Sequence, residues 1–215
     1  NRHSQMQPLL EEFVNEIQAY SSCSGVGMRI LDSSGSIPFA AFTGYSQEFL
    51  DKENPLTIHD ADTMCVRVVR QHTDSKLPCY TSGGSFFTNS SSRLLKDNSE
   101  AERGWTCSVC SNYGYESIAL IPIRLGEQIL GLIQVADAKN NMVPIELVET
   151  LEDAAMQVGA AIQRLRAEDG LRQSNEQLER RVKERTVELA EANRQLTDQI
   201  TERKLAETAL RKSQT

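Results

Sequence analysis

Beyond Pro144 the sequence has no proline and few glycines. The residues that most readily stop a helix are therefore missing from the last third of the chain. No apolar run approaches 18 residues, which excludes a helical membrane span. No signal peptide is visible. A basic excess is lacking too, with 23 Lys+Arg against 30 Asp+Glu and a net charge of −7. The deficit is uneven. Residues 166–215 hold 11 basic and 10 acidic side chains, and residues 1–165 hold 12 and 20. An acidic domain joined to a charge-balanced segment argues against nucleic-acid binding, which needs a basic face. Five cysteines is an odd number. That disfavours a complete disulfide framework and suits a reducing, cytoplasmic setting. No glycine-rich ATP-binding stretch occurs and no histidine lies in the proline-free segment, so nothing here supplies kinase chemistry. The chain starts without Met and stops inside a helical pattern, as expected of a piece of a longer protein.

What fills the proline-free segment, residues 144–211, is helical periodicity. Leu147, Leu151, Val158, Ile162 and Leu165 recur at three, four or seven residues, one face of an α-helix. Beyond Gly170 the apolar positions narrow to Leu171, Leu178, Val182, Leu189 and Leu196, with long polar side chains between. So narrow a stripe is a coiled-coil seam, and Asn175 and Arg185 also fall on it. At 1.5 Å per residue, roughly 65 residues reach about 100 Å. A domain of this size is about 35–40 Å across. The helix is therefore predicted to leave the domain and to pair as a parallel homodimer. The expected division is a globular domain over residues 1–165 and a signalling and dimerisation helix over residues 166–215.

The domain reads in order. Leu9, Leu10, Phe13, Val14 and Ile17 predict an amphipathic helix over residues 8–20. Residues 26–31 and 37–43 predict a hairpin around the turn Asp32-Ser-Ser-Gly35. Ser46 is placed to cap a short helix over residues 47–52, and Asp60 to cap another. Residues 77–92, with Pro78, Gly83 and Gly84, read mostly as loop, and residues 92–103 as an exposed polar stretch. A second hairpin follows, in residues 115–124 and 128–137. Its strands are nearly continuous in apolar residues, so both sheet faces are expected to be covered. Pro122 within it suggests an edge or a bulge.

Two stretches carry a family resemblance. Glu116-Ser-Ile-Ala-Leu-Ile-Pro-Ile-Arg124 and Gly131-Leu-Ile-Gln-Val135 resemble the hairpin that precedes the last helix of GAF domains, small-molecule sensory modules of bacterial signalling proteins. The resemblance covers about residues 8–165. Residues 178–196 resemble the linker helix before PAS or kinase modules in sensor histidine kinases, and residues 202–211 the start of a following PAS domain. The resemblance implies an α+β fold. A six-stranded antiparallel sheet is flanked by helices, with a ligand pocket on one face and the terminal helices on the other. It also implies downstream PAS or kinase modules in the full-length protein. No bilin-binding pattern and no cyclic-nucleotide signature is evident.

The candidate site residues lie mainly between the hairpins, the region that caps the pocket in GAF-like folds. Cys107-Ser-Val-Cys110 is a C-x-x-C pair, and two thiolates at that spacing can hold a metal or cycle as a disulfide. Cys65 and Cys79 are the further thiols that would complete a zinc or iron–sulfur site, although the spacing matches no standard zinc pattern. Inert thiols near a pocket are the alternative. Haem is a further possibility through Cys110 or His59, but Ser111 after Cys110 excludes the c-type attachment motif. Trp105 and Tyr115 flank the cysteines and read either as pocket walls or as core. Residues 83–89, Gly-Gly-Ser-Phe-Phe-Thr-Asn, read either as an anion-binding loop or as an irregular loop packing Phe86 and Phe87 onto the domain. The leading function is a cytosolic sensory input domain that binds a small ligand or cofactor and is not itself an enzyme. The alternatives are a haem- or metal/thiol-based redox sensor and a reductase resembling the GAF-type free methionine sulfoxide reductases.

Overall fold

The computed structural model describes residues 6–59, 63–97, 110 and 112–213. The chain divides into two units, Asn1–Leu165 and Arg166–Thr215. In the first unit the elements are α1 (Met6–Ser21), β1 (Gly25–Ile30), β2 (Phe39–Thr43), α2 (Gln47–Glu53), α3 (Met64–Val69), β3 (Phe86–Thr88), α4 (Ser91–Asp97), β4 (Ser117–Leu125) and β5 (Gln128–Asp137), then the start of α5 (Ile145–Ser213). The strands form one antiparallel sheet in the order β2-β1-β5-β4-β3. The described residues thus hold five strands where six were expected.

Hydrophobic periodicity explains most of these elements. On α1, Leu10, Val14, Ile17 and Ser21 are buried at spacings of four, three and four. That is one helical stripe. Every residue of β4 from Ser117 to Ile123 is buried, as is every residue of β5 after Gln128. Both faces of that hairpin are therefore covered, as the continuous apolar runs required. Pro122 pairs with Leu132 in β5, while β3 on the other side reaches only from Ile118 to Leu120. The proline therefore sits past the end of β3, where β4 is an open edge, and its missing N–H deprives no neighbouring strand. A bulge follows between Ile123 and Arg124.

Three local expectations change. Thr63, and not Asp60, caps α3, its side chain accepting from the Val66 amide. Asp60 lies outside the described residues. The loop over residues 77–92 contains β3, and the polar stretch after it opens with α4. α4 is held by a distant partner, since the Glu116 carboxylate accepts from the Ser92 amide and the Ser90 hydroxyl. Ser46 caps α2 as expected, its hydroxyl accepting from the Phe49 amide at 3.3 Å.

The sheet separates two cores. On one face, α1 and the first turns of α5 bury Leu10, Val14 and Ile17 with Val148, Leu151, Ala155, Val158 and Ile162, against Val26, Ile121, Ile133 and Val135. Each of these Val, Leu and Ile side chains contributes about 1.5–3 kcal/mol when fully buried. Gly159 lets α5 approach β4 closely, because a Cβ there would collide with the Arg124 carbonyl oxygen. On the other face lie α2, α3 and the segment before β3, around Phe49, Val66, Phe86, Leu120 and Leu132.

The described residues of the second unit are all helical. Leu171, Leu178, Val182, Leu189 and Leu196 are each more than half exposed. The ion pairs Arg172–Asp169 and Arg185–Glu188, both at 2.8 Å, are local pairs three residues apart.

Candidate functional site

The face under α2 and α3 carries the unusual chemistry. β1 places Val26 and Met28 in the first core, and Arg29 points to the other side. Arg29 is fully buried. A lone buried guanidinium is prohibitively costly, so its donors must be met. Nε donates to Gln134 Oε1 at 3.3 Å, Nη1 to the Ile37 and Glu53 carbonyls at 2.9 Å, and Nη2 to Glu53 Oε2 at 2.8 Å. Its Cζ lies 3.8 Å from the Phe39 ring centroid, a cation–π contact. One side chain thereby ties β1, β5, the approach to β2 and the last residue of α2 together.

Gln134 extends this centre to sulfur. Its Nε2 donates to Cys110 Sγ at 3.4 Å, and its carbonyl oxygen accepts from the Tyr45 hydroxyl at 3.2 Å. Aromatic rings close around the group. Tyr45 stacks on Phe49 at 4.8 Å, and Tyr115 meets both rings edge-on at 5.8 and 5.5 Å. Tyr113 packs on Phe49 at 5.4 Å and donates its hydroxyl to Glu48 Oε1. These contacts bring the segment just after Cys110 down onto α2.

The expected site residues separate into groups. Cys65, Cys79 and Cys110 are all buried in this second core, and Tyr115 packs against it. His59 is exposed in the α2–α3 connection, beside the turn at Gly35. It is not part of the core that holds the cysteines. Cys107 and Trp105 lie outside the described residues. Among the described residues no three His, Cys, Asp or Glu side chains gather as a metal set. Cys23, Cys65 and Cys79 carry free thiols. Burial pushes the Cys65 thiol far above its ordinary range, and burial also raises Cys79 and Cys23. These three thiols are therefore protonated at neutral pH and are poor nucleophiles or ligands in this state. Burial first, then the neighbouring Cys110 and Tyr115, raises the Tyr45 phenol. Burial also raises Glu53, with Arg29 pulling it partly back.

Sequence reasoning missed Arg29, Glu53, Gln134, Tyr45 and Phe49. A signal existed for two of them. Arg29 interrupts the apolar strand Gly-Val-Gly-Met-Arg-Ile, and Gln134 interrupts Ile-Leu-Gly-Leu-Ile-Gln-Val-Ala. A polar residue inside a strand buried on both faces must have a buried partner.

Solved structures share this fold. A domain described as from a two-component sensor histidine kinase protein of Sinorhizobium meliloti 1021 superposes with a TM-score of 0.55 at 16% identity, over 77% of this chain and 96% of that one. The GAF domain region of a membrane protein from Geobacter sulfurreducens PCA gives 0.57 at 16%, over 76% and 96%. The type II free methionine-R-sulfoxide reductase of Thermoplasma acidophilum gives 0.55 at 13%, over 76% and 96%. At these identities the likeness is one of fold. No curated protein matches the chain. The GAF domain family profile matches residues 5–162, the stretch that builds both cores and the sheet between them, and the chain belongs to the GAF domain family.

Proposed function

We propose that this chain is the cytosolic input module of a signalling protein. A small ligand or cofactor is held on the α2–α3 face, its occupancy biases the first turns of α5, and a parallel homodimer through the later turns carries the bias to a downstream PAS or kinase module. One observation carries this reading. On a single helix, apolar side chains are buried up to Ile162, and the apolar stripe from Leu171 to Leu196 is exposed. A stripe of that spacing buries itself against a second copy. The histidine kinase description attached to one structural neighbour is consistent with such a role.

The second face favours a thiol-containing seat, because Gln134 presents a hydrogen bond to Cys110 inside an aromatic wall. The sensed agent is then a haem, a metal or an oxidant acting at Cys110 and Cys107, or an organic molecule stacked on the rings. The same thiol supports a second reading, a methionine sulfoxide reductase activity of the kind named for the Thermoplasma protein. The exposed stripe favours the sensory reading over it.

The test is sedimentation of the chain at micromolar concentration, with absorbance and native mass spectra of the same sample. The expected result is a dimer that becomes a folded monomer when the chain is stopped at Ala167. A full-length monomer would overturn the relay. Thioredoxin-dependent reduction of free methionine sulfoxide, lost in Cys110→Ser, would establish the enzyme instead.

A further inference from the structure

The Gly83-Gly84-Ser85 turn, a possible anion loop by sequence, already faces an anion supplied by the chain. Glu152, on the third turn of α5, accepts hydrogen bonds from the hydroxyls of Thr81 and Ser85. The turn is built for it. The Ser85 amide donates to Thr81 Oγ1 at 3.0 Å and the Thr81 amide to the Ser85 carbonyl at 2.9 Å, which sets both hydroxyls on one side. A Cβ at Gly83 would run into the Glu152 carboxylate, so a larger residue there would have to displace that side chain from the turn. Arg124 Nη2 donates to the Gly83 carbonyl at 2.6 Å and pins the turn from β4.

The residues just before this turn belong to the opposite face. Cys79 and Tyr80 are buried in the second core, where the Tyr80 ring lies 5.8 Å from Phe86 and its hydroxyl 3.9 Å from Met64 Sδ of α3. β3, which follows the turn, is an edge strand. The segment runs along the outer edge of β3, where Tyr80 bridges to Phe86 and the Phe87 amide donates to the Cys79 carbonyl at 2.9 Å, with one end in the α3 core and the other on α5.

We propose that the Thr81–Ser85 turn and Glu152 form a latch. It couples the order of the Cys79–Tyr80 segment on the α3 face to the first turns of α5 on the other face. Any event that shifts Tyr80 or α3 pulls the hydroxyls from Glu152, and any displacement of α5 loosens Cys79. This device rests on reading the chain as an input module. Its test needs neither ligand nor output, so a failed search for either does not bear on it.

Glu152→Ala in the 215-residue chain should speed alkylation of Cys79 roughly tenfold, resolved by peptide mass spectrometry, with Cys23 in the first core unchanged. Buried thiols react through transient opening, so the rate reads the local opening equilibrium. Glu152→Gln keeps an acceptor without the charge and should fall between. Reciprocally, Thr81→Ala/Ser85→Ala should raise amide exchange over residues 149–157 by a similar factor, with less change at residues 8–20. Equal acceleration at Cys23 and Cys79 would mean general loosening and would overturn the latch. So would no change at Cys79, or no change in helix exchange in the double variant.

Discussion

The two faces of the sheet share the same strands and solve burial in opposite ways. The α1–α5 face is filled by aliphatic side chains on long helices, and it reads as a regular stripe. The α2–α3 face is filled by rings, thiols and one buried cation, and its helices are six and seven residues long. Helices that short are held by what they pack on and not by their own propensity. The difference assigns the work. The first face holds the first turns of α5 in place, and the second gathers the polar, aromatic and thiol groups on which the proposed ligand seat rests.

The largest expected effect tests whether the polar centre holds its face together. Glu53→Ala leaves the Arg29 guanidinium buried without its carboxylate and should cost about 3–5 kcal/mol in urea unfolding. The pair Arg29→Met/Glu53→Leu should recover most of that, since apolar side chains of similar volume often replace a buried ion pair without loss. If the single change costs under 1 kcal/mol, the centre serves another end than stability.

A second comparison takes one residue from each side of the same hairpin. Ile121 packs in the first core and Leu132 in the second, and both are fully buried. Each change to Ala should cost about 2–5 kcal/mol by chemical denaturation. A loss below 1 kcal/mol at Leu132 alone would mark the second face as a loosely filled seat.

The smallest effect is one of pH. Burial raises the Cys65 thiol well above its ordinary value of 9.0. The folded state keeps this proton where the unfolded chain releases it. The stability it confers is complete below about pH 9 and declines as pH rises beyond, by up to ~1.4 kcal/mol per pH unit. Tyr45 adds to the same alkaline limb above its ordinary value of 10.0. Cys65→Ala should flatten the decline between pH 9 and 10.5 by about one proton's worth, measured from denaturation midpoints across that range. An unchanged slope would mean that the second core opens to solvent at Cys65 before the domain unfolds.

Much of the fold was legible because its signals are local. The hairpin of β4 and β5 showed as two apolar runs around Gly126, α1 as a single stripe, and α5 as a long periodic segment free of proline. The signal failed where elements were short. β3 has three residues inside a Ser- and Gly-rich loop, too few for any alternation to register. α4 begins with Ser91-Ser92, poor helix formers, and owes its start to Glu116 more than twenty residues away. Of the candidate site, the thiols could be named from sequence because their chemistry is rare. Their environment could not.

Periodicity alone established helices and two hairpins followed by a long helix with a narrow apolar stripe, because period and spacing are properties of neighbouring residues. Chain folding over long separations set the chemistry of the second face. Arg29 meets Glu53 across 24 residues and Gln134 across 105, and Gln134 meets Cys110 across 24. No local pattern announces those meetings. They exist because β1 pairs with β5, and because the short helix α2 ends where a buried guanidinium needs an acceptor.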